Sequence, residues 1–246
     1  MKVLELIDVG INFAGVKAVR GVTMSIVSGE RRAIIGPNGA GKTTLFNLIG
    51  GQLHPSSGTI RLLGRDVRAL PAHRRTYLGL SRTFQISRLF LDLTVLENML
   101  LGVQGTRLAK LSLFRPAQAD RGVRERAEEL LAQWQLIDYR DKAVRNLSYG
   151  TQRQLEIAMA LAPSPRLLLL DEPTAGLSRV ERNLVTARLG ALDPELSVLL
   201  TEHDMDVVFD FARHITVLDH GEIMADGDPQ TVQRNPAVHE IYFGTD

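Results

Sequence analysis

The sequence predicts an α/β fold: a mostly parallel sheet covered on both faces, with an antiparallel β N-terminal part and a helical subdomain inserted in the middle. Three observations carry that expectation. The short, uniformly apolar run Leu167-Leu168-Leu169-Leu170 reads as a buried parallel strand, and Val198-Leu199-Leu200 and Ile215-Thr216-Val217-Leu218 read as two more. These runs alternate with helical segments, which implies crossovers and a sheet with cover on both sides. Between residues 86 and 161 the β signal fades, so the middle of the chain is a helical insertion.

In chain order, Val3 to Ile7 and Val22 to Val27 alternate apolar with polar or small residues and read as β, with Ser28-Gly29-Glu30 as a turn after the second. Arg32-Ala33-Ile34-Ile35 is a β-leaning segment that runs into a Gly-rich stretch, and Thr44 to Ile49 beyond it is helix-compatible. His54-Pro55-Ser56-Ser57-Gly58 is a turn before a strand at Thr59 to Leu63, which ends at Gly64. Val123, Ala127, Leu130, Leu131 and Trp134 recur at helical spacing among Arg and Glu, the pattern of an amphipathic helix with one solvated face. The 246 residues are thus expected to form a single domain, core 1–85 and 162–246, helical subdomain 86–161.

Composition narrows the function. A formal charge of +1 recruits no nucleic acid, and the pairs Arg31-Arg32 and Arg74-Arg75 are too short for a binding stripe. Absence of cysteine excludes a disulfide framework, a thiolate metal site and a cysteine nucleophile, and fits a cytoplasmic setting. No apolar run approaches the roughly 20 residues of a spanning helix, so any membrane role is expected to be peripheral.

Gly36-Pro37-Asn38-Gly39-Ala40-Gly41-Lys42-Thr43-Thr44 satisfies the P-loop pattern, with a strand before it and a helix after. Glycines let successive N–H groups curl toward a phosphate, Lys42 neutralises the β/γ oxygens, and the Thr43 hydroxyl is placed to ligate Mg²⁺. A plain glycine turn needs neither the lysine nor that context. Asp171, after the buried leucines, stands where it can hold Mg²⁺ through water, and Glu172 beside it can polarise an attacking water. Alone, Glu172 would pass as a solvated acid near a helix start.

Leu147-Ser148-Tyr149-Gly150-Thr151-Gln152 resembles the Leu-Ser-Gly-Gly-Gln signature of the ABC ATPase family, and lies between the P-loop and Asp171 as it does there. The resemblance spans nearly the whole chain and implies a P-loop NTPase core that binds and hydrolyses ATP with Mg²⁺. It implies that two subunits, identical or merely similar, pair head to tail, so that Ser148, Tyr149 and Gly150 of one, at a helix expected to start near Gln152, close on the phosphate held by the other. It gives Gln85 as a ligand of Mg²⁺ and the water, His203 as a γ-phosphate contact and Phe13 as the ring that stacks on adenine. Tyr149 and Thr151 depart from the signature, and Ser178 stands where many members have Asp.

Leu80-Ser81-Arg82-Thr83-Phe84-Gln85-Ile86, Tyr149 and the tail Asn235 to Gly244 are similar to the ATPases of branched-chain amino-acid importers; urea and short-amide importers resemble them almost equally, and a lipopolysaccharide exporter less. The implied partners are a second ATPase subunit, two membrane permeases that dock between Gln85 and Asn98, and indirectly an external solute-binding protein. The implied location is the cytoplasmic face of a bacterial membrane. A non-hydrolysing regulatory subunit is the reading from another class, and Lys42, Glu172 and His203 argue against it. A DNA-repair ABC ATPase would need a long coiled coil between P-loop and signature, and a translation-associated one a second ATPase domain.

Overall fold

Along β7 (Leu167–Asp171) and β8 (Ser197–Thr201) every residue is buried while successive side chains point to opposite faces, so these strands need apolar cover on both sides. Leu168, Leu170, Val198 and Leu200 enter one hydrophobic layer; Leu167, Leu169 and Leu199 enter another. The computed structural model describes residues 1–13, 15–83, 89–105, 121–236 and 238.

The central sheet runs in the order β10–β9–β3–β8–β7–β6, with β3 (Arg31–Ile35), β6 (Leu80–Arg82), β9 (His214–Asp219) and β10 (Glu222–Gly227). From β6 through β9 the neighbours are parallel, and β10 closes one edge antiparallel to β9. A second, antiparallel sheet has the order β2–β1–β4–β5, from β1 (Lys2–Phe13), β2 (Val16–Val27), β4 (Ser57–Leu62) and β5 (Arg65–Asp66). Helix α1 (Lys42–Gly50) shares a core layer with both sheets: Leu45, Phe46, Leu48 and Ile49 join Leu4, Leu6 and Ile60 on one side and Ile34 and Leu169 on the other.

A short α2 (Ala72–Tyr77) precedes β6. The other layer is covered by α3 (Val95–Gln104), α4 (Arg121–Gln133), α5 (Tyr149–Leu161), α6 (Arg179–Gly190), α7 (Met205–Phe211) and α8 (Pro229–Gln233). The buried face of α4 is Val123, Ala127, Leu130 and Leu131, with Trp134 buried just past its end, as its periodicity predicts. None of the described helices is long and apolar enough to cross a membrane.

Two expectations are corrected, and one strand is added. Strands β1 and β2 outrun Val3–Ile7 and Val22–Val27, because register shifts around Val9, with Asp8 at φ 52°, break the period-two alternation that sequence inspection relies on. Helix α5 opens at Tyr149 rather than near Gln152, since Ser148 caps it by accepting from Thr151 N. Strand β10 carries only half-buried and exposed residues and gives no apolar run.

One arginine of each basic pair is buried. Arg32 is buried against Glu30, Thr216 and Asp226. Arg75 is 0% exposed and donates to the Leu48 and Ile49 carbonyls at the end of α1, each at 2.7 Å, and to those of Val67 and Leu70. It closes the C-terminus of the P-loop helix. Burial pushes its guanidinium down to about 10, which leaves it charged at neutral pH. Arg75→Ala strands several buried acceptors, each worth about 1–3 kcal/mol. The urea midpoint should fall by the equivalent of at least about 3 kcal/mol at unchanged slope; a midpoint within experimental scatter of the parent would contradict this capping role.

Candidate functional site

Because β8 lies between β3 and β7, the segments leaving the carboxyl ends of three neighbouring parallel strands converge on one rim of the sheet. β3 delivers Gly36 to Thr44. A side chain at Gly36 would lie 2.0 Å from the Leu218 carbonyl oxygen, and one at Gly41, φ 100°, would lie 2.6 Å from that of Ala18, so the loop is cast around missing Cβ atoms. Pro37 and Ala40 close its turn through Ala40 N–H to Pro37 O, and Ala40 O accepts from Gly221 N. Asn38 and Gly39 are exposed at the tip. Gly41 gives α1 no side-chain cap, so the N–H groups of the first turn, where Thr43 and Thr44 sit, face outward as an anion site would require.

Lys42 is buried and bends back into the loop, its Nζ donating to Gly36 O at 2.6 Å and Pro37 O at 3.0 Å. Burial pushes the ammonium below its ordinary pKa, and the negative charges of Glu172 and Asp171 oppose that shift. Those two acids arrive on β7. Asp171, 3% exposed, accepts from Arg82 Nη2 at 3.0 Å and from Thr201 Oγ1 at 2.8 Å. Arg82, on β6, also reaches Asn47 and Gln52 at the end of α1, so one buried guanidinium joins the β7 acid to the P-loop helix.

Glu172 adopts φ 47°, a conformation that costs a residue with a Cβ about 1–3 kcal/mol and persists only where surroundings impose it. They do. Its N–H donates to both Thr201 O and Thr201 Oγ1, its carbonyl accepts from Arg153 Nη2 at 2.8 Å, and its Oε1 lies 3.0 Å from His203 Nε2. β8 supplies His203, whose N–H is held by Glu202 Oε2; Glu202, buried, also accepts from Thr174 N and Oγ1. Lys42, Asp171, Glu172 and His203 therefore meet at one rim.

Ser148, Tyr149 and Gly150 face elsewhere. Tyr149, exposed, donates its hydroxyl to Ala175 O and packs its ring on Gly176, while a Cβ at Gly150 would strike the Glu181 carboxylate. The P-loop packs on Ala18, Leu218 and Gly221. Ser178 fits its departure: it is the cap of α6 and forms a capping box with Glu181, a place where Ser and Asp serve equally. Thr151 hydrogen-bonds Ser148 through its hydroxyl as well as its N–H, and Gln152 ties down the Val144 and Leu147 carbonyls.

Phe13 ends β1, 45% exposed, at a hairpin whose second strand carries Ala18, a neighbour of Gly41. Gln85 lies outside the described residues. Sequence reading missed Arg82, Arg153, Thr201 and Glu202 as site-builders. The available signal was position: Thr201-Glu202-His203-Asp204 is a polar run straight after a buried strand.

A parallel α/β sheet with a P-loop, an acid pair and a histidine at its carboxyl rim defines a P-loop ATPase. Residues 19–175 match the family model "ABC transporter", and residues 222–246 match "Branched-chain amino acid ATP-binding cassette transporter". The chain belongs to the ABC transporter family as one of its ATP-binding subunits. It is 38% identical to the high-affinity branched-chain amino acid transport ATP-binding protein BraF of Pseudomonas aeruginosa over 98% of both chains. It is 34% identical to the lipopolysaccharide export system ATP-binding protein LptB of Acidithiobacillus ferridurans, over 92% of this chain and 90% of that one. Among solved structures, the ADP conformation of an ATP-binding cassette of an ABC transporter matches over 100% of both chains with TM-score 0.88 at 30% identity. A dimeric post-hydrolysis cassette bound to ADP and Pi matches over 92% of this chain and 98% of that one, TM-score 0.78, at 27% identity.

Arg82→Met would leave the Asp171 carboxylate buried without its cation, which costs about 3–5 kcal/mol when one partner of a buried pair is removed. Urea unfolding of the variant should register that loss; full retention of stability would show that Asp171 does not depend on Arg82.

Proposed function

We propose that this chain binds ATP with Mg²⁺ at Gly36 to Thr44 and hydrolyses it as one of a head-to-tail pair, powering import of a small polar solute, branched-chain amino acids by preference. The observation that carries the hydrolytic reading is the 3.0 Å contact between His203 Nε2 and Glu172 Oε1 at the rim that also holds Lys42. In this reading Lys42 exchanges its two loop carbonyls for β/γ phosphate oxygens. Glu172 takes the proton of the attacking water, and His203 orients that carboxylate and meets the γ-phosphate.

The residues suit Mg²⁺. Thr43 is exposed on the first turn of α1, and among the described residues no group of three or more His, Cys, Asp or Glu is arranged as a metal cage. A hard cation that keeps several waters and shares phosphate oxygens needs no such cage. Thr43, Gln85 and, through water, Asp171 would hold it, and when bound it neutralises charge developing on the phosphates.

The described neighbours of Ser148 and Gly150 are Thr151 and Glu181, not P-loop residues, which supports a second subunit completing each site. Import of amino acids is supported by the branched-chain relatives and the match at residues 222–246; the likeness to LptB keeps lipopolysaccharide export as the lesser alternative, behind urea or short-amide import. The subunit would sit at the cytoplasmic face of the membrane, below two permeases that receive solute from an external binding protein. Phe90, 55% exposed, and Leu91 are a fitting seat for a permease segment, because buried Asn98 fixes that turn through Phe90 N, Phe90 O and Thr94 O.

Glu172→Gln should retain ATP and Mg²⁺ binding while turnover falls 10²–10⁴-fold, about 3–5 kcal/mol of barrier. Nucleotide titration beside an ATPase assay checks both halves. Unchanged turnover would remove Glu172 from the mechanism.

A further inference from the structure

The first turns of α5 lie along residues 171–181 of the same chain. Tyr149 reaches Ala175 and Gly176, Gly150 abuts Glu181, and Arg153 reaches the strained acid itself. Arg153 is 4% exposed and spends its guanidinium on three consecutive carbonyls: Asp171 O at 2.7 Å, Glu172 O at 2.8 Å and Pro173 O at 3.1 Å, with Glu156 Oε2 at 2.9 Å as counter-ion. Three successive carbonyls on one planar cation fix the path of the backbone through Glu172, whose φ of 47° would otherwise relax.

We propose that Arg153 is a positioning residue that couples the two ATP sites of a pair: the end of α5 that meets the partner's phosphate at Ser148 and Gly150 sets, through Arg153, the aim of Glu172 in its own subunit. This rests on the head-to-tail pairing proposed for the subunit. Ser148 caps the helix that carries Arg153 five residues further on, so a displacement of the helix start is passed to the carbonyls without an intervening joint. A bistable element biased from both ends is what coupling between sites requires. In this proposal Glu172, held at φ 47° from which it would relax, is that element.

The test uses the full chain with MgATP. Arg153→Lys keeps the charge and cannot span three carbonyls; kcat should fall about tenfold to a hundredfold, as for a catalytic group misplaced by an ångström, with KM within about twofold. The Hill coefficient of turnover on ATP should drop to 1 while the ATP-dependent dimer seen by size exclusion persists. Arg153→Met, a packing replacement, serves if the lysine variant is unstable, and Glu156→Gln, which leaves the carbonyl bonds, should keep both kcat and Hill coefficient. A parent that dimerises with ATP, beside an Arg153→Lys variant of unaltered kcat and Hill coefficient, overturns the coupling alone. A kcat loss that only tracks the folded fraction in circular dichroism overturns it too. A parent that never dimerises with ATP overturns the paired-site reading and the coupling with it.

Discussion

Strand β8 runs parallel between β3 and β7, and parallel neighbours share a direction, so the segments that leave their three carboxyl ends have to meet on one side of the sheet. That single constraint places a lysine, two carboxylates and a histidine together from positions as far apart in sequence as 42 and 203. It also sets the cost of the arrangement. The strands are buried on both faces, so every polar group at their ends is half inside the protein and needs a partner.

Arginines supply some of those partners and brace the P-loop helix as well. Arg75 closes the far end of α1, Arg82 joins Asp171 to that helix, and Arg153 holds the backbone on either side of Glu172. A guanidinium has five donors spread over a rigid plane, which lets one side chain satisfy acceptors from two or three elements at once, where the compact head of a lysine, as at Lys42, reaches only acceptors close together. Lys42 stands apart from them: its partners are the two loop carbonyls of Gly36 and Pro37, which the proposed function has it exchange for phosphate oxygens.

Much of this was legible in the sequence, for physical reasons. The P-loop announces itself because Gly36 and Gly41 stand where no side chain fits, and the buried leucines of β7 point to Asp171 because a strand hidden on both faces has no polar position until its end. The signature, His203 and Phe13 needed the family resemblance, since a serine, a histidine or an exposed phenylalanine has many uses. What stayed hidden was long-range pairing. The fold brings carbonyls to Arg75 and a carboxylate to Arg82, and neither spacing nor composition encodes that. The β-bulges near Val9 hid the length of β1 and β2 for a related reason, because one irregular residue inverts the alternation. Ser178 departs from the family's Asp, and its reason is structural: it caps α6.

In the proposed pair the P-loop of one subunit faces the signature of another across ATP. The chain has no cysteine, which makes it suited to a direct test. Subunits carrying Asn38→Cys, at the exposed tip of the P-loop, are mixed with subunits carrying Tyr149→Cys and treated with a short thiol-bridging reagent in MgATP or MgADP. The account predicts a covalent dimer that joins the two different variants and forms with ATP far more than with ADP. Equal yields with either nucleotide, or bridges only between like variants, would contradict it.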